Sequence, residues 1–145
     1  MPYIEDFLTN HEEQEIVEAI RLAERETSGE IRVHIEQQCN IDLYERTLEV
    51  FHLLKMDNTI QQNGVLIYVA VDNKAFVIFG DQGINNIVGA DFWNTTRDQI
   101  ATQFKSGNFK QGLIDGITEA GKALSLHFPW YHGDRDELDN TISKG

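Results

Sequence analysis

The stretch QNGVLIYVAVDNKAFVIFGDQG, from Gln62 to Gly83, decides the fold. Its segment Val65–Val71 is apolar on both of its alternating faces. A strand of that kind needs cover on both sides, so it reads as the centre of a sheet with helices above and below. Asp72-Asn73 reads as a two-residue turn, and AFVIF, Ala75–Phe79, as the antiparallel return of a hairpin. The return ends on Gly80 and Asp81, with Gly83 close behind. Oxygen-bearing side chains continue along the next turn as Asn85, Asn86 and, after Gly89, Asp91. An acid held between glycines at the end of a core strand is the feature that most needs a chemical reason.

Upstream, IRVHIE (Ile31–Glu36) alternates, with Ile31, Val33 and Ile35 on one face and Arg32, His34 and Glu36 on the other. The alternation predicts a half-covered strand. A helix is predicted between this strand and Val65–Val71, over Asp42–Lys55, from the stripe Leu43, Leu48, Val50, Phe51 and Leu54. Strand, helix and strand make a crossover, so the two strands should run parallel. Ahead of them a helix is predicted over His11–Thr27, with Asn10 as N-cap, Glu13 closing a capping box, and Ile16, Val17, Ile20 and Ala23 on its inner face. Further helices are predicted from Phe92 to Ser106 and, with Asn108 as N-cap, from there to Pro129; Gly112 and Gly116 imply a close approach to the sheet. The expected architecture is a Rossmann-like α/β/α sandwich on a small mixed sheet, a parallel crossover pair plus an antiparallel hairpin strand.

This topology brings three connections to one sheet edge. The hairpin strand runs backwards, so Gly80-Asp81 ends where the parallel strands begin, beside Gly29-Glu30 and Asn63-Gly64, and the loop Met56–Asn63 lands there with Asp57. Glu30, Asp57, Asp81 and Asp91 are therefore the candidate acidic ligands of a hard divalent cation, with Asn58, Asn63, Asn85 and the backbone carbonyls from Gly80 to Val88 as further candidates. Crowded carboxylates repel, and Ca²⁺ or Mg²⁺ takes carboxylate, amide and carbonyl oxygens. Each acid also has a plainer reading: Asp81 and Asp91 as N-caps of following helices, Glu30 and Asp57 as solvated surface.

The 145 residues fit one domain, expected over 1–132, with 133–145 a loose polar tail. The net charge of −12 argues against a nucleic-acid partner and against an anionic membrane surface. No apolar run reaches membrane-spanning length and MPYIEDFLTNHEE lacks the parts of a signal peptide, so the expected compartment is the cytoplasm, without membrane insertion. The lone Cys39 offers no disulfide and no thiolate zinc site. EF-hand, HExxH, P-loop and GxSxG patterns are all missing, and no nucleophile is paired with a base in sequence. The aromatics Phe92, Trp93 and Phe104 read as a core stripe, and Phe128, Trp130 and Tyr131 as either the packed end of the last helix or a contact patch.

Taken together, SGEIRV, QNGVLIYVA, the FGDQGI turn, the FW that opens a helix and the closing HFP resemble the TPM domain family, over roughly Glu5 to Trp130. That family joins a chloroplast thylakoid protein, a photosystem II repair protein and an animal receptor modulator. The resemblance implies a Rossmann-like sandwich and a divalent metal at an acidic pocket by the Gly-Asp turn, here Asp81. It also implies an acid phosphatase activity proposed for plant members, while many members carry a transmembrane helix or a Gly-rich tail. The functional expectation is a stand-alone Ca²⁺- or Mg²⁺-binding domain with a regulatory role toward an unidentified protein partner and no catalytic residues. The alternative is a metal-assisted acid phosphatase, against which stands the absence of Lys or Arg from GDQGINNIVGAD.

Overall fold

In the computed structural model, which describes residues 7–89, 91–130 and 141–145, the elements follow as α1 (Asn10–Glu24), β1 (Glu30–Glu36), α2 (Leu43–Leu53), a single 3-10 turn (Met56–Asn58), β2 (Gly64–Ala70), β3 (Ala75–Gly80), α3 (Gln82–Val88), α4 (Trp93–Lys105), α5 (Phe109–His127) and β4 (Ser143–Lys144). The sheet order is β3-β2-β1-β4. β1 and β2 are parallel, with Glu30 opposite Gly64 and Glu36 opposite Ala70; β2 and β3 are antiparallel, with Val65 opposite Gly80. The expected crossover pair and hairpin are both present.

Every residue of β2 is buried. Val65, Ile67 and Val69 join Ile31, Val33 and Ile35 beneath α1 and α5, in a core with Ile16, Ile20, Leu113 and Ile117. Leu66, Tyr68 and Ala70 face the other way, against Val50, Phe51 and Met56 of α2 and the turn after it. Helices thus cover both faces, as burial of a two-sided apolar strand requires. Gly112 and Gly116 do serve close packing, chiefly against α4: an added Cβ would lie 2.7 Å from the Phe104 ring and from Ile100 respectively.

Several boundaries differ from expectation. The cap of α1 is Thr9, one residue earlier, and Glu12 closes its capping box. Two boxes overlap in TNHEE; Glu12 completes the one that forms, and Glu13 pairs with Lys144. The β2–β3 connection has four residues, because Ala70 pairs with Ala75. Asn73 is drawn away to bracket the backbone of Cys39, accepting from its N–H at 3.0 Å and donating to its carbonyl at 3.0 Å. The HFP segment returns to the start of β1: Thr27 pairs with Pro129, and Ser28 N–H donates to the Phe128 carbonyl at 2.9 Å. Phe128 is buried there and Trp130 lies partly exposed, while Tyr131 falls outside the described residues.

The expected loose tail covers residues 133–140, which lie outside the described residues, and the last five, which do not behave as a loose end. Ser143 and Lys144 pair parallel to His34 and Ile35, and Gly145 N–H donates to the Ile35 carbonyl at 3.1 Å. The reason is the β1 edge itself: its outward backbone groups need partners, and a polar tail can supply them as well as an apolar strand.

Candidate functional site

The backbone assembles the expected edge. Asn63 and Gly64, at the start of β2, are its centre: the Asn63 carbonyl accepts from Glu30 N–H at 3.4 Å, and the Gly64 carbonyl accepts from Asp81 N–H at 2.8 Å. Glu30 and Asp81 therefore flank the same dipeptide from its two sides. The loop 59–63 is locked onto the Asp81 turn through Gly83, where an added Cβ would lie 2.0 Å from the Gln61 carbonyl oxygen and 2.5 Å from that of Gln62. Only glycine permits that approach.

Within this frame the four expected acids behave differently. Asp81 is half-buried and caps α3, accepting from Gln82 N–H at 2.7 Å. Glu30 is 1% exposed, which makes it a buried acid rather than a solvated one. Asp57 is exposed and meets His52 Nδ1 at 3.0 Å. Asp91 is exposed beyond Gly89, and α4 begins after Phe92 without a side-chain cap. Among the described residues no three His, Cys, Asp or Glu side chains gather as a group able to hold a metal by themselves. Glu30 and Asp81 share the centre of the edge; Asp57 and Asp91 sit at its periphery.

Of two further oxygens here, the sequence pointed to Asn63 as a candidate ligand and missed Thr59. Thr59 Oγ1 and Asn63 Oδ1 are buried and have no hydrogen-bond partner among the described residues. Both belong to the loop that Gly83 presses against the Asp81 turn. The Asn63 amide nitrogen reaches Ser28 Oγ and Gln61 Oε1 at 3.4 Å each, which turns its oxygen into the unanswered atom. Buried oxygens of this kind call for a bound water or an ion. Asn85 Nδ2 closes the rear of the turn on the Gly80 carbonyl at 2.7 Å, and Asn85 Oδ1 accepts from Trp93 Nε1 at 2.9 Å. That explains the FW pair: Trp93 is a buried prop for the turn.

The opposite end of β1 holds a second polar group that the alternating pattern left on an exposed face. Glu36 is 5% exposed and His34 6%, because α2 covers that face. Arg46 of α2 grips the Glu36 carboxylate with Nε and Nη2, each at 2.9 Å. Tyr68 Oη donates to the same carboxylate, and His34 Nε2 lies 3.1 Å from it. Burial pushes the Glu36 carboxyl up, but the hydrogen bonds from Arg46, Tyr68 and His34 outweigh it and hold it at about 2. Burial also lowers His34, partly offset by Glu36, and burial followed by the Glu36 bond raises Tyr68. All of the carboxylate's acceptor capacity is answered, so this cluster is a closed structural network. The sequence signal for it was Tyr68, an out-of-place hydroxyl in an apolar strand, opposite His34 in the parallel register.

No described helix is long and apolar enough to cross a membrane. Comparison with known proteins places the chain. A search of the curated proteins finds no match. Among solved structures, the NMR structure of the BA42 protein from the psychrophilic bacterium Bizionia argentinensis is 64% identical over 100% of both chains, with a TM-score of 0.92. The solution NMR structure of the N-terminal domain of a P. gingivalis protein is 22% identical, with a TM-score of 0.70 over 87% of this chain and 83% of that one, a likeness of fold. The TPM domain profile matches residues 4–123, and on that match the chain belongs to the TPM domain family.

Proposed function

We propose that the Asp81 edge binds a divalent cation, Ca²⁺ or Mg²⁺, and that the domain uses it to order a surface for a protein partner. The observation that carries this reading is the pair of unanswered buried oxygens, Thr59 Oγ1 and Asn63 Oδ1, in the loop pressed against the Asp81 turn. The donors fit a hard cation: carboxylates of Asp81 and Glu30, amide and hydroxyl oxygens, and backbone carbonyls, with no thiol or imidazole among them. Asp81 and Glu30 would supply the charge, and Asn63 and Thr59 the neutral oxygens. Asp57 and Asp91 would add long-range attraction from the rim, in a protein whose charge of −12 already favours cations. A bound cation would neutralise the edge and tie the loop before β2 to the turn after β3.

The proposed setting is the cytoplasm, where a lone buried thiol such as Cys39 stays reduced. Titration calorimetry tests the reading. The wild type should bind Ca²⁺ or Mg²⁺ saturably and Asp81→Asn should not. Since Asn caps a helix as well as Asp, the variant keeps its fold and the loss reports the site alone. Equal heats from both proteins would reject Asp81 as a ligand. The phosphatase alternative is separated by assaying phosphate release from a phosphomonoester with metal present.

A further inference from the structure

A cavity of about 600 Å³ opens at the other end of the molecule, outside the carboxyl end of β2. It lies between the β2–β3 hairpin, the end of α4 and the start of α5, and owes nothing to the acidic edge. Its floor is Val69 and Val71, and its wall is a run of aromatic rings. Phe76 meets Phe104 edge-on at 5.2 Å, Phe104 meets Phe109 at 5.4 Å, and Phe109 meets Phe7 at 4.4 Å. Phe76, Phe104 and Phe109 are only partly buried, so the core is unfinished on this side. Gly112 makes the wall possible, since an added Cβ would lie 2.7 Å from the Phe104 ring.

The mouth is cationic in a strongly acidic protein. Lys74 and Lys105 line it, both exposed, and neither joins an ion pair among the described residues. Asp72, the one acid in the lining among the described residues, already accepts a hydrogen bond from Gln37 Nε2. Only 12 residues in the chain are Lys or Arg against 24 Asp and Glu, so two ammoniums with no ion pair among the described residues, over one apolar hole, mark a place where negative charge is welcome. An apolar cavity of this size with a few polar groups at its rim has the form of a small-molecule site, and open α/β sheets take their ligands outside the carboxyl ends of the strands.

We propose that this cavity binds an amphiphilic monocarboxylate, its hydrocarbon body against Val69, Val71 and the phenylalanine wall and its carboxylate between Lys74 and Lys105. The ligand class follows from charge complementarity at the mouth and from the apolar lining below it. The site is independent of the cation site, and neither reading depends on the other.

Decanoate, kept below its self-association concentration, is the probe. Added to the full chain, it should give saturable NMR shifts at Val69, Val71, Ala101 and Phe104. Decyltrimethylammonium, with the same tail and the opposite head, should bind at least tenfold more weakly. The double substitution Lys74→Glu with Lys105→Glu should weaken decanoate by about tenfold, as expected for two partly exposed ion pairs turned repulsive. Ala101→Trp, which fills the cavity from α4, should abolish binding with the fold intact by its amide spectrum. The proposal is overturned if decanoate produces no saturable shifts or if the two head groups bind alike. It is equally overturned if the free protein shows Tyr3 or Ile4 in contact with the rings of Phe104 and Phe109, because the chain would then fill the cavity itself.

Discussion

Strand β1 carries a buried acid at each end, and the two ends have opposite characters. At Glu36 the carboxylate is gripped by Arg46, capped by Tyr68 and met by His34, and nothing is left to bind. At Glu30 the surroundings include Asp81, which has no ion pair among the described residues, and two buried oxygens without donors. Both ends hold acids at low exposure. At the Glu36 end α2 brings an arginine onto the carboxylate, while the turn from Gly80 to Gly89, which carries Asp81, contains no Lys or Arg. A buried carboxylate answered by a built-in guanidinium is structure; the acidic edge around Asp81 is where we propose that a cation comes from solution.

Breaking the closed end should have the largest effect. Glu36→Ala strands a half-buried Arg46 and removes the acceptor of Tyr68, and should cost about 3–5 kcal/mol in denaturant unfolding. The same network sets the response to acid. The Glu36 carboxyl is held at about 2 against an ordinary 4.5, so its contribution is full above pH 4.5 and is lost as pH falls toward 2. The difference between wild type and Glu36→Ala should therefore shrink over that window. His34 is lowered from 6.5 by burial, so the unfolded chain takes up its proton first and stability should begin to fall below pH 6.5.

Filling the open end should stabilise rather than break. Ca²⁺ or Mg²⁺ at a hundredfold excess over its dissociation constant should add about 2.7 kcal/mol to unfolding of the wild type. Asp81→Asn should show no such gain in the same thermal melts, although its metal-free stability changes by only about a few tenths of a kcal/mol. Gly83→Ala should cost about 1–3 kcal/mol, because the new methyl meets backbone oxygens that cannot swing aside. It should also weaken cation binding by parting the loop before β2 from the Asp81 turn.

The framework of this protein was legible because burial imposes periods on sequence. The two-sided strand Gly64–Ala70, the hairpin after it and the crossover before it all followed from apolar spacing and turn residues. So did the meeting of Glu30 and Asp81 at one edge, since parallel and antiparallel directions fix which strand ends coincide. What stayed hidden depends on which side chain wins a shared partner. Thr9 and Asn10 could each cap α1 by residue type; Thr9 does so with Glu12, while Glu13 pairs with Lys144. Arg32, His34 and Glu36 read as an exposed face because the pattern cannot show that Arg46 and Tyr68 lie above it. The pairing of Ser143–Lys144 with β1 has no sequence signature, as the strand edge supplies the order and the tail only accepts it.

The most direct test of the difference between the two ends is an amide NMR titration of the metal-free protein with Ca²⁺ and then Mg²⁺. Saturable shifts are expected at Glu30, Thr59, Asn63 and Asp81–Asn85, with His34, Glu36 and Arg46 unmoved, and none of these shifts in Asp81→Asn. Shifts centred on the Glu36 network, or an edge that stays silent at saturating cation, would contradict it.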